Sequence, residues 1–247
     1  MNNKEKVVAL LQSIQTGDQK AIAYIHPQKY IQHNLFVADG VQGFSEFLKR
    51  RIPNEVNIVR VFQDGDFVFA HTLSGTKIEL HIFRFEDGYM VEHWDNFQQV
   101  ITPTKNGHSM IDGPTQARDL DKTDDNKKLI KKFFDDILYA NNIKNITTYI
   151  STEKYVQHNP NVADGLVGFN TAMEELEKAG LKMEYKKTYK ILGEGDFVLT
   201  QSEGELAGKD VTFYDLWRIE NGKITEHWDV IEPMLPKEKW KNQNGKF

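Results

Sequence analysis

A repeat within the chain constrains the fold more than any other feature. Residues 29–44 read KYIQHNLFVADGVQGF and residues 154–169 read KYVQHNPNVADGLVGF, identical at eleven of sixteen positions at an offset of 125. Gly65-Asp66-Phe67-Val68 returns as Gly195-Asp196-Phe197-Val198, at an offset of 130. Glu92-His93-Trp94-Asp95 returns as Glu226-His227-Trp228-Asp229, at an offset of 134. Order is kept while the offset grows, as expected of a duplicated domain that has acquired short insertions. The period is far too long for a solenoid, so each copy is a domain of its own. The expected organisation is copy one at 1–104, a linker at 105–124 rich in Gly, Pro, Asp and Thr, and copy two at 125–247.

Each copy opens with helical periodicity and closes with strands. Val7, Leu10, Leu11 and Ile14 mark one amphipathic stripe; Ile130, Phe133, Phe134, Ile137 and Leu138 mark its counterpart. Asp124 or Asp125 is placed to cap the second of these helices. A short helix is expected near Gln19–Tyr24 and Ile143–Tyr149, and a third after Asp39-Gly40 and Asp164-Gly165, with the two aspartates as caps. Four strands follow in each copy, joined by turns at Asp64-Gly65, Asp87-Gly88, Glu194-Gly195 and Asn221-Gly222. Consecutive hairpins imply an antiparallel sheet, and helices gathered before strands give the α+β class with a pocket between the layers.

Alternation along a strand puts His93 with Asp95, and His227 with Asp229, on one face. The preceding strand offers His81 and Asp215. A two-residue loop at Asn221-Gly222 would set Asp215 opposite Trp228, on the wrong face. A three-residue loop ending in a left-handed glycine sets Asp215 across from His227 and His81 across from His93, and is the expected register. The candidate acid–base residues are therefore Asp95, His93 and His81 in copy one, and Asp229, His227 and Asp215 in copy two. Phe83 and Phe85, or Phe213 and Trp217, are expected as the apolar wall, with His33 and His158 of the QHN segments closing the site. Trp94 and Trp228 read as packing residues.

The chain has no cysteine, which excludes disulfides, thiolate metal sites and cysteine nucleophiles. Its net charge is -5, and the 12 basic and 14 acidic residues up to Leu120 are followed by 19 and 22, so neither half is a basic module for nucleic acid. No apolar run suggests a membrane span or a signal segment, and a cytoplasmic location is expected.

The motif QHN-x-x-VADG, with a final hairpin ending Asn-Gly-Lys-Ile-Thr-Glu-His-Trp-Asp, resembles the SnoaL-like polyketide cyclases, of the superfamily with the cone-shaped fold of nuclear transport factor 2. The resemblance covers both copies. It implies three N-terminal helices over a strongly curved antiparallel sheet, and intramolecular aldol ring closure without metal or cofactor. The acid–base aspartate it implies falls on Asp95 and Asp229, with a second polar group fourteen positions earlier at His81 and Asp215. The characterised cyclases are single domains, whereas this chain is a tandem, and the superfamily also holds isomerases, dehydratases and binding modules. The expected function is cofactor-free acid–base chemistry (aldol cyclase, isomerase or lyase type) on a small apolar carbonyl compound in a pocket of each domain. The alternative is a non-catalytic binder of small molecules in the same pockets. A nominal metal set of His158, His227 and Asp229 lacks tight ligand spacing, so no metal is expected. Pairing of the two copies as an intramolecular pseudo-dimer is expected from the habit of the superfamily.

Overall fold

The computed structural model describes residues 1–50 and 54–247. It divides into two compact units: Met1–Gln99 with Leu235–Phe247, and Val100–Met234. The segment 105–124 thus belongs to the second unit, and the last thirteen residues belong to the first. Each unit is α+β, as the element order of the sequence predicts.

In the first unit, α1 (Asn3–Thr16) begins with a capping box, in which Asn2 accepts from the Glu5 backbone N–H and Glu5 accepts from that of Asn2. It ends at Gly17 in the left-handed region. Its Val7, Leu10 and Leu11 pack on the sheet with Phe44 and Leu48 of α2 (Gly40–Arg50). A 3₁₀ turn, Gln19–Tyr24, lies between the helices. The sheet runs β1 (Ile31–Gln32), β5 (Tyr89–Gln99), β4 (Lys77–Glu86), β3 (Phe67–Ser74), β2 (Val56–Asp64). The second unit repeats the plan. There α3 (Thr123–Phe133), continued by a π turn over Phe134–Tyr139, precedes the short α4 (Ile146–Tyr149) and then α5 (Gly165–Lys178). Its sheet order is β6 (Val156–Gln157), β10 (Lys223–Pro233), β9 (Lys209–Glu220), β8 (Phe197–Leu206), β7 (Met183–Glu194).

Three sequence expectations need correction. The sheets are mixed: the two-residue strands β1 and β6, inside the QHN segments, pair in parallel with β5 and β10. The hairpins before β5 and β10 have two-residue loops, not three; Asp87-Gly88 and Asn221-Gly222 carry positive φ at both positions, the mirror-image turn that suits strand twist. A single-residue bulge follows each loop, at Val91 and Thr225, and restores the parity that the short loop would have lost. His81 therefore stands opposite Asp95 and Phe83 opposite His93, while Asp215 stands opposite Asp229 and Trp217 opposite His227. The face was read correctly, and the pairing lies two residues along.

Asp39 and Asp164 are not simple helix caps. Their Oδ1 atoms accept the backbone N–H of Gln32 and of Gln157, and Asp164 makes no side-chain cap to α5. Asp124 and Asp125 lie in the first turn of α3, where acidic groups suit the helix dipole, and Lys122 occupies the cap position. The glycine three residues after VADG has a steric cause. A Cβ at Gly43 would sit 1.9 Å from the Ala38 carbonyl oxygen, and at Gly168 2.1 Å from that of Ala163. Only glycine lets these helices close on the loop before them.

No helix among the described residues is long and apolar enough to cross a membrane.

Candidate acid–base site

The QHN segment builds the site from its outer residues and leaves its histidine behind. Gln32 pairs with His93, and Asn34, two positions on, shares its face. The Gln32 side-chain oxygen accepts the Asn34 backbone N–H, which fixes the amide's orientation, and the same oxygen lies 3.0 Å from His93 Nδ1. His93 Nδ1 therefore carries the proton and donates it to Gln32, leaving Nε2 as an acceptor 3.2 Å from His81 Nδ1. His81 Nε2 faces the Glu79 carboxylate at 3.2 Å and the Thr72 hydroxyl at 3.4 Å. Asn34 Nδ2 donates to Asp95 Oδ2 at 2.6 Å. Asp95 Oδ1 is buried and makes no hydrogen bond.

The second repeat has the same frame. Gln157 accepts the Asn159 N–H and lies 3.2 Å from His227 Nδ1, and Asn159 Nδ2 donates to Asp229 Oδ2 at 2.6 Å. Asp229 Oδ1, too, is buried without a hydrogen bond. His227 Nε2 meets Asp215 Oδ1 at 3.1 Å, a contact between two acceptors unless one proton lies between them. Sequence reasoning missed Gln32, Asn34, Gln157 and Asn159. The signal was present, because period-two alternation puts the glutamine and asparagine of QHN on the face opposite its histidine.

His33 and His158 accordingly do not close the site, and this expectation is corrected. His33 stacks on Trp94 at 4.8 Å and shares a proton with Glu92 at 2.9 Å. His158 stacks on Trp228 at 4.6 Å and meets Glu226 at 2.9 Å. Arg84 donates to Glu92, and Arg218 to Glu226, each at 2.7 Å. The repeated Glu-His-Trp-Asp thus serves two purposes: its His and Asp face the pocket, its Glu and Trp hold the QHN segment on the other side.

A cavity of about 560 Å³ opens beside the first triad. Leu10, Leu11, Phe44, Phe83 and Phe97 line its body; His81, His93, Asp95 and Glu79 gather at one part of its wall. Phe83 is part of the cavity lining, stacked on His93 at 4.4 Å. Phe85 is not: it is buried in the core under the helices. In the second unit, Phe213 and Trp217 pack against Tyr185 and His227.

The segments that follow the last strands distinguish the two sites. Asn242 Nδ2 donates to the carbonyls of Asn34 and Val37 in the first unit, as Asn106 Nδ2 does to those of Asn159 and Val162 in the second. Lys105-Asn106 and Lys241-Asn242 are thus a further repeated pair, at an offset of 136, which continues the drift of the others. Four residues beyond each asparagine stand Met110 and Lys246, both buried. Lys246 Nζ lies 3.9 Å from Asp95 Oδ1.

This difference appears in the carboxyls. Burial pushes Asp95 up, but His93, Lys246, His81 and the Asn34 hydrogen bond outweigh it and hold the group below the usual carboxylate range. Asp229 is pushed up to about 6, by burial first; His227 opposes the rise and Asp215 adds to it. Burial holds His93 down to about 3, with the charges of His81, His33 and Lys246 adding and Asp95 opposing. The stability consequences have opposite signs. Unfolded His93 takes a proton near 6.5, which the folded ring refuses, so the first unit loses stability as pH falls from 6.5 toward 3. Folded Asp229 keeps a proton that the unfolded chain releases near 3.8, so its contribution is present at low pH and is lost as pH rises through about 6. Residue-resolved amide exchange at pH 7 and pH 4 is expected to show protection falling in the first sheet more than in the second. A uniform fall would contradict this.

His81, His93 and Asp95, and likewise Asp215, His227 and Asp229, each offer donor atoms within 4.8 Å of one another, a spacing an ion could span. In the first repeat a cation there would sit beside the Lys246 ammonium. The first set therefore fits protons better than a metal. In the second, the lone pairs of His227 and Asp215 are already turned on each other. The His158, His227, Asp229 set is not assembled, since His158 lies on the other face.

A buried carboxylate and imidazole of one strand recur in both α+β units, and in the first unit they lie beside a pocket under the helical layer. Among solved structures, a SnoaL-like polyketide cyclase from Agrobacterium tumefaciens is similar at 11% identity, covering 43% of this chain and 91% of its own, with a TM-score of 0.35. TsrD from Streptomyces laurentii is similar at 19% identity, over 40% of this chain and 92% of its own, with a TM-score of 0.33. An LEH-like epoxide hydrolase from M. tuberculosis is similar at 18% identity, over 45% and 85%, with a TM-score of 0.34. No protein-family model and no curated protein sequence matches the chain.

Proposed function

We propose that the protein is a cofactor-independent acid–base enzyme that moves a proton at carbon beside the carbonyl of a small, largely apolar compound. The observation that carries this reading is Asp95: a buried carboxylate whose Oδ1 has no hydrogen bond and which lines a pocket with an apolar body. That oxygen is open to a substrate proton, and the group, held below the usual carboxylate range, is ionised at neutral pH and able to accept it. Asp95 takes the proton, and the C–H electron pair moves onto the carbonyl as an enolate. The His81–His93 pair, tied to Glu79 and Gln32, lies beside the carboxylate as the reservoir from which a proton returns. Return to another carbon is isomerisation; attack of the enolate on a second carbonyl of the same molecule is aldol ring closure; loss of a β-leaving group is a lyase reaction. Asp229 with His227 and Asp215 repeats the constellation in the second unit.

The test uses 2-tetralone, a bicyclic ketone with acidic α-hydrogens, in D₂O. Protein-dependent deuterium incorporation at the α-carbon, followed by NMR, is expected above the buffer rate. Saturable binding with no exchange would overturn the catalytic reading in favour of a non-catalytic small-molecule binder.

A further inference from the structure

The two units share one backbone plan, so the residues at matched rungs can be compared directly. Ala70 pairs with His81 and Thr200 with Asp215, which makes these rungs equivalent. Four residues on, Ser74 faces Val56 and Gly204 faces Tyr185. By the same ladders, Glu79 corresponds to Phe213 and Phe83 to Trp217. On the helix, Leu10 and Leu11 correspond to Phe133 and Phe134, which stand at the same spacing in the two stripes.

Leu10, Leu11, Glu79 and Phe83 line the first cavity. Their counterparts Phe133, Phe134, Phe213 and Trp217 are all aromatic, and they pack on one another and on Tyr185. Tyr185 stacks on Phe213 at 4.3 Å, Phe134 meets Tyr185 edge-on at 5.4 Å, and Phe133 meets Trp217 at 5.4 Å. Trp217 in turn stacks on His227 at 4.0 Å. The Tyr185 hydroxyl donates to the Asp215 carboxylate, 3.1 Å from Oδ1 and 3.2 Å from Oδ2. A cavity of about 480 Å³ does exist in the second unit, lined by Ile146, Phe169, Met173, Met183 and Tyr185, but none of the triad lines it. Tyr185 is the residue common to both: its ring borders that cavity and its hydroxyl is bonded to the triad.

We propose that the second repeat's triad is sealed from ligand by its aromatic cluster, with Tyr185 as the seal, so that the chain binds substrate at one site, in the first repeat. The inference rests on the acid–base reading of the Asp–His constellation and adds to it which copy is open.

The experiment is calorimetric titration of the full chain with 2-naphthol, the aromatic counterpart of the enol of 2-tetralone. The wild type is expected to bind one equivalent. Tyr185→Val, which installs the residue found at the matched rung of the first sheet, is expected to bind two, with Tyr185→Phe, which keeps the ring, remaining at one. Two equivalents on the wild type would overturn the proposal, as would one equivalent on a Tyr185→Val protein whose circular dichroism matches the wild type. A misfolded Tyr185→Val leaves the wild-type stoichiometry to decide. Absence of binding to all three proteins would overturn the acid–base reading itself, and the seal with it.

Discussion

Asp95→Asn is expected to lower the α-proton exchange of 2-tetralone by about 10²- to 10⁴-fold, the contribution typical of a positioned general base. The substitution is nearly isosteric, and the new amide oxygen can still accept from Asn34 Nδ2, as Asp95 Oδ2 does at 2.6 Å. Loss of rate should therefore come without loss of fold, which thermal denaturation of the variant checks. Exchange unchanged in a folded Asp95→Asn protein would remove Asp95 from the mechanism. A companion substitution tests how the carboxylate is kept ionised. Lys246→Met gives the first site the residue that stands at the matched place in the second, and takes away one of the charges holding Asp95 down. The base works only when deprotonated, so the acid limb of the exchange–pH profile is expected to move to higher pH. A profile that does not move would mean that His93 and Asn34 suffice.

Glu226→Ala is expected to cost about 3–5 kcal/mol of unfolding free energy, the range for breaking a buried ion pair, because the Arg218 Nε–H loses its buried acceptor while Glu220 and Asp196 meet only Nη1. Both Arg218 and Glu226 are buried, and the glutamate also holds His158 Nε2. In the first unit the corresponding Arg84 side chain is 32% exposed and Glu92 15%, so water can take over part of the lost contact. Glu92→Ala is therefore expected to cost less, about 1.5–3 kcal/mol, the range of a hydrogen bond to a charged group. Urea denaturation of the two full-length variants measures the difference; equal costs would mean that burial does not control these pairs.

Much of this molecule is legible in its sequence because its local signals agree with one another. The helix stripes, the Asp-Gly and Asn-Gly hairpins and the doubled motifs all speak for two α+β units, which is what the structure contains. Alternation along β5 and β10 also put the right imidazole and carboxylate on one face. The errors concern residues whose role depends on a neighbour distant in the chain. A bulged residue such as Val91 leaves no compositional mark, since it is defined by the strand it fails to pair with. The histidine of QHN was expected to close the site, whereas the parallel pairing of Gln32 with His93 turns it to the other face.

Sequence alone determined the duplication, the class of each unit and the residue types available for proton transfer, because these follow from short-range periodicity and from identity between the copies. Tertiary structure decided which of those residues meet, what they are bonded to and whether anything can reach them. Register depends on the sum of a turn and a bulge, and the state of a carboxyl depends on a lysine 151 positions away. Openness of a pocket depends on the summed volume of side chains drawn from a helix and three strands. None of these is a property of any one stretch of chain; each exists only once the chain has closed on itself.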